Sequence, residues 1–245
     1  MVRYLSDPAR FSRVTAGVCL VAAPLALLVG TIVHPGLRVG ERAQLELIAA
    51  HPDRWYANHI LGFIAMILLV PAILGLVGIV RVREPLLAHV GGTLAFLGVI
   101  AFEGVVVAYG FVAWQMAAGA SLGEMTALAY RLKHTPGVVV PLGVMSGLLV
   151  PGLGLLALGL IRSGAPRRWC GPVAALGALL FLAGGQSAHM TLMLAGTTLL
   201  LAALATLGLH VLRSTDAQWA PTTPTPVSPA AGGTSQALPA SSTGG

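Results

Sequence analysis

Charge is scarce in this sequence. Only 9% of its 245 residues are charged, against about 25% in soluble domains, which excludes an ordinary soluble globular chain. Lysine occurs once, as Lys133, so thirteen of the fourteen basic residues are Arg. The two cysteines, Cys19 and Cys170, cannot build a disulfide framework or a multi-cysteine metal site by themselves, and read as small apolar packing residues. Also missing are the P-loop and H-E-x-x-H, and the one G-x-S-x-G spacing, Gly119–Gly123, follows no strand pattern and so is no nucleophile elbow. Hydrolytic and nucleotide chemistry therefore have no support, and the reading leans away from an enzyme.

What is present is apolar: 56% hydrophobic residues and 31 glycines, with a mean hydropathy of +0.85. A bilayer core of about 30 Å needs about 20 such residues at 1.5 Å each. Six mainly apolar stretches qualify, at 14–33, 60–80, 86–116, 138–161, 169–185 and 190–212, the fifth being short and the third alone holding a charged residue type. The expected fold is therefore an all-α, six-helix transmembrane bundle over residues 1–213, with the lipid bilayer as its main partner. The first stretch lacks a small-residue cleavage site and reads as a span rather than a secretory signal. Residues 214–245 are rich in Pro, Thr, Ser, Gly and Ala and too poor in large apolar residues to bury a core, so they read as a disordered tail.

The net charge of +6 suggests an anionic partner only until the arginines are located. With the N-terminus inside, Arg3, Arg10, Arg13, Arg81, Arg83, Arg162, Arg167, Arg168 and Arg213 lie on the inner side, against Arg38, Arg42, Arg54, Arg131 and Lys133 outside. That excess places both termini in the cytoplasm of a multi-pass cell-membrane protein. It gives no reason to expect nucleic acid. Trp55, Tyr56 and Trp114 fall at the outer boundary, where amphipathic rings collect, and Trp169 at the inner one. The outer loops carry a helical stretch each. One covers 41–50; the other opens on Ser121 and Glu124 at capping-box spacing and stops at Thr135, Pro136 and Gly137. Both are placed to cap the outer end.

LLVPAILGLVGIV from Leu68 and LLVPGLGLLALGLI from Leu148 align Pro71 with Pro151, and AFLGVIAF from Ala95 echoes AALGALLF from Ala174. This suggests a parallel repeat of the helix 2–3 and 4–5 hairpins. Gly143 and Gly147 have the GxxxG spacing of close helix approach, within the bundle or between the protomers of a homo-oligomer. The HPG that follows the first span, the HPDRW before the second, His59 at its start and LLVPAILGLVGIVR at its end resemble a pattern found in uncharacterised bacterial six-helix membrane proteins, a domain-of-unknown-function group. The resemblance covers about the first three spans. It implies the topology and brings no activity to any residue.

Glu103 is the single acidic residue within a span. Counting from Trp114 puts it roughly 16 Å below the outer boundary, near the midplane. A charged carboxylate there costs about 2.5–3.5 kcal/mol on insertion scales, which favours the neutral acid. Ser146, Thr197 and Thr198 fall at similar depth, and Pro24, Pro71 and Pro151 release the carbonyls of Leu20, Ile67 and Gly147 from their helical donors. A polar pocket of Glu103, Ser146, Thr197 and Thr198 is the leading expectation, serving a proton or a small or lipophilic solute. A neutral Glu that only bonds helices together explains the same placement, and with it a purely structural or assembly role.

The rival class is a redox or metal-binding membrane protein. His34, His51, His59, His134 and His189 fall on the outer side, and His34, His59 and His189 stand at span ends, where imidazoles suit zinc or another metal. Met116, Met145, Met190 and Met193 on the same side would add soft ligands for copper. A b-type haem needs two histidines from different helices, for which His59 with His189, and His89 with His210, are the candidate pairs.

Overall fold

The computed structural model describes residues 7–119, 121–164 and 167–219, and no strand occurs among them. We number the helices α1 (Pro8–Val33), α2 (Glu41–Ala50), α3 (Pro52–Val80), α4 (Pro85–Ala117), α5 (Leu122–His134), α6 (Pro136–Arg162), α7 (Cys170–Gln186), α8 (Met190–Arg213) and α9 (Asp216–Trp219). Four of them start on proline, whose fixed φ and missing N–H suit the first helical position. At α1 the Asp7 carboxylate adds a cap, accepting the Ala9 and Arg10 N–H groups at 3.0 and 3.3 Å. Proline also starts α3 eight residues before the expected span, because Pro52 rather than the onset of hydrophobicity sets the helix end.

Five helices, α1, α3, α4, α6 and α8, are long and apolar enough to cross a membrane. The sixth apolar helix, α7, has 17 residues, short of the usual 20. These six pack in a ring: each lies against the next apolar helix in the chain, and α8 returns to α1. Several seams are so close that only glycine fits, the α4–α6 seam at Gly98 and Gly152 and the α6–α7 seam at Gly171 among them. Between α7 and α8, a Cβ on Gly196 would lie 2.6 Å from the Gly177 carbonyl oxygen; between α8 and α1, one on Gly208 would lie 2.7 Å from that of Gly17. Gly143 and Gly147, by contrast, meet only atoms of their own helix, so the GxxxG pair marks no helix contact among the described residues. Inside the ring is a cavity of about 30 Å³ to which all six helices contribute apolar side chains, among them Pro24, Met66, Phe102, Leu153, Phe181 and Leu204.

The proposed repeat pairs hairpins of different build. Pro71 lies inside an unbroken α3. In α6 a π-helical segment, Val139–Val144, and a turn at Gly147 and Leu148 precede Pro151. There the carbonyl of Gly147 is not left open for a pocket: it accepts the Val150 N–H at 3.2 Å, a tighter turn that replaces the lost bond.

At one end of the ring, the end expected to face outward, α2 and α5 pack together as a cap. Leu45, Ile48, Trp55 and Met116 make a second small core there, and Lys133 reaches Glu41 at 3.4 Å. Ser121 caps α5 by accepting the Glu124 N–H at 3.4 Å. At the opposite end helical structure passes the expected 213/214 boundary. Arg13 of α1 holds Asp216 at 2.7 Å and donates to the Leu212 carbonyl at 2.9 Å. The Trp219 indole N–H reaches the Ser12 hydroxyl at 2.9 Å. The remainder of the expected tail, 220–245, lies outside the described residues.

Candidate functional site

Glu103 sits on α4 four residues after Val99 and three before Val106, both buried, so the three share one helix face. The same face carries Gly92, which meets Val77 of α3, and Gly110, which meets His59 of α3. Between these two antiparallel contacts Glu103 comes level with Met66 of α3, itself buried and on the cavity wall. Both carboxyl oxygens of Glu103 are buried and have no hydrogen-bond partner among the described residues. Buried polar side chains are nearly always bonded, which sets this group apart from every other acidic residue of the chain.

The hydroxyls expected around it are engaged elsewhere. Ser146 donates to the Gly143 carbonyl at 2.7 Å. Thr197, completely buried, donates to the carbonyls of Met193 and Leu194 at 3.0 and 3.1 Å. Thr198 donates to the Leu194 carbonyl at 2.7 Å and is exposed. All four bonds return to the residue's own helix, the usual outlet for Ser and Thr in a helix interior. Thr197 and Thr198 also belong to α8, whose neighbours in the ring are α7 and α1, whereas α4 packs on α3 and α6.

Directly after Glu103, α4 widens into a π-helical segment, Val106–Val112, a form found mostly as single turns at functional sites. Its Gly110 carbonyl accepts the Trp55 indole N–H at 2.9 Å. A Cβ at Gly110 would lie 2.7 Å from Cγ of His59, so glycine is what lets that imidazole lie against α4. Seven residues of α3 separate His59 from Met66, so this cluster stands about 10 Å along the helix from the level of Glu103, towards the end capped by α2 and α5.

His34, Trp55 and His59 form one aromatic group, with ring centroids 5.1 Å apart for His34–Trp55, 4.4 Å for Trp55–His59 and 6.0 Å for His34–His59. Their bonding assigns the tautomers. The Trp55 carbonyl, 2.8 Å from Nδ1 of His59, can only accept, so His59 carries its proton on Nδ1 and leaves Nε2 with a lone pair. The Gly36 N–H donates to Nδ1 of His34 at 3.0 Å, so the neutral His34 ring carries its proton on Nε2 instead. Burial first, then the neighbouring His59 and the Arg54 guanidinium, lower the pKa of His34 to about 4. Arg54 in turn caps α1, donating to the carbonyls of Val33 and His34 at 3.0 and 3.3 Å.

The HPG and HPDRW motifs thus meet in space, which neither their separation nor their hydropathy announces. Trp55 and Gly110 are the members that sequence reasoning did not place in a site; the one available signal was the i, i+4 spacing of Trp55 and His59. The third predicted ligand does not join them. His189 is exposed, donates from Nδ1 to the Ser187 carbonyl at 2.6 Å, and has no ring contact with His34 or His59 among the described residues. His89 and His210 are both exposed, on α4 and α8, which are not ring neighbours. Among the described residues no group of three His, Cys, Asp or Glu side chains is placed to hold a metal ion. No protein-family model matches the chain, and neither a curated protein nor a solved structure shows significant similarity to it.

Proposed function

We propose that the chain is a six-span integral membrane protein of the cell membrane, both termini cytoplasmic, in which Glu103 binds a proton linked to the handling of a small or lipophilic solute. One observation carries this reading: both oxygens of the α4 carboxyl are buried without a partner among the described residues. Intramembrane acids ordinarily pair with a cation or with backbone groups, and a lone one is stable as the neutral acid and ready to exchange its proton. The π-helical segments of α4 and α6 support a moving part. A cavity of about 30 Å³ is far smaller than the roughly 150 Å³ that takes up a benzene-sized ligand, so a solute enters only when the ring opens, and such segments are where helices kink.

The test uses the full chain reconstituted into liposomes with a pH-sensitive dye inside. After an imposed pH step, proton entry should be faster with the wild-type protein than with Glu103→Gln. Equal rates for the two would remove the proton-linked reading. The redox alternative draws support from the contact of His34 with His59. It is the weaker reading, because His34 would have to give up its bond from Gly36 before Nε2 could bind a metal.

A further inference from the structure

The inner ends of α3 and α6 are tied together. Arg83, in the loop between α3 and α4, donates to the Ser163 carbonyl at 2.6 Å, and Arg162, at the end of α6, pairs with Glu84 at 3.3 Å. Gly159 of α6 packs on Val80 of α3. The α3–α4 and α6–α7 loops are thereby one surface, with Arg81, Arg83, Arg162, Arg167 and Arg168 all exposed on it and Glu84 as the acidic residue among them. Two of these arginines have work in the fold. Arg83 occupies the carbonyl that ends α6, and Arg162 has its carboxylate. Arg81, Arg167 and Arg168 have no carboxylate partner among the described residues.

Membrane orientation requires only the number of such residues; holding two loops together concentrates them. Beside the guanidinium groups lie exposed apolar side chains, Val82, Leu86 and Trp169, which suit acyl chains just as the arginines suit a phosphate. We propose that this surface binds the headgroup of an anionic phospholipid of the inner leaflet, with Arg81, Arg167 and Arg168 on the phosphate and Leu86 and Trp169 against the chains. The proposal is independent of Glu103.

The experiment is native mass spectrometry of the full chain in detergent with equimolar phosphatidylglycerol and phosphatidylcholine. The wild type should retain phosphatidylglycerol preferentially. An Arg81→Gln/Arg167→Gln/Arg168→Gln variant should lose affinity for it by about fivefold per guanidinium, on the order of a hundredfold in all. Removing the same charge at the other end, by Arg38→Gln/Arg42→Gln/Arg131→Gln, should leave the preference in place. Unchanged retention by the inner variant, equal losses in both variants, or displacement of the lipid by an equal concentration of inorganic phosphate would each overturn the proposal. Should the inner variant not fold, the wild type decides. Added salt must strip phosphatidylglycerol ahead of phosphatidylcholine, and retention indifferent to salt would overturn the proposal as well.

Discussion

Acidification should destabilise the α2–α5 end of the protein through His34. In the folded chain this imidazole is buried and lies beside His59 and Arg54, which lowers its pKa from 6.5 to about 4. Unfolding returns it to water and to its ordinary value. Between these two values the unfolded chain holds a proton that the folded chain does not, so stability is complete above about pH 6.5, falls as the pH drops, and levels off below about pH 4. At 1.36 kcal/mol per unit the full loss is about 3 kcal/mol. The assay is reversible denaturation in detergent micelles at a series of pH values, followed by the fluorescence of Trp55, which touches the ring. The carboxylates and the other histidines add slopes of their own, so the informative quantity is the difference between the wild type and His34→Gln. That difference should account for most of the 3 kcal/mol. Parallel pH profiles for the two proteins would refute the assigned burial and tautomer of His34.

Other consequences are smaller or more local. Glu103→Gln should change unfolding free energy at neutral pH by less than about 1 kcal/mol, because one neutral group replaces another; a gain of several kcal/mol would mean that an unpaired charge had been removed. Gly110→Ala should destabilise by about 1–3 kcal/mol by driving a methyl group into the His59 ring, seen as a lower denaturation midpoint together with altered Trp55 fluorescence. Gly196→Ala should cost at least as much, since its methyl group meets the backbone of α7 rather than a side chain that can turn away. Asp216→Asn should shift stability by at most about 1 kcal/mol, as its pair with Arg13 is partly solvated, and thermal unfolding would show it.

The membrane character, the approximate spans and the two capping helices were legible because each depends on a local pattern: an uncharged run, Ser121 three residues before Glu124, a proline at a helix start. The closure of α8 on α1 was not. Helices that are apolar all round show no preferred face in their hydrophobicity, and the partner is recorded instead by where a Cβ is missing, as at Gly17 and Gly208. Counting along the spans addressed the depth of Glu103, Ser146, Thr197 and Thr198 but not direction around the helix axis. The hydroxyls of Ser146, Thr197 and Thr198 satisfy themselves on their own helices and leave the carboxyl alone. Likewise, Pro151 was a sound reason to expect a freed carbonyl at Gly147, but the chain tightened locally and gave it the Val150 N–H. The pairing of His34 with His59 needed the packing of α1 against α3 and the absence of a side chain at Gly110, neither of which a spacing rule contains.

Infrared spectroscopy of the full chain in lipid at neutral pH tests the central claim most directly. A protonated carboxyl in an apolar setting has a C=O stretch separate from those of carboxylates and amides. The account predicts such a band in the wild type, its shift on exchange into heavy water, and its loss in Glu103→Gln. Spectra of wild type and variant that coincide in this region would show that Glu103 holds no proton at that pH, and would contradict the account.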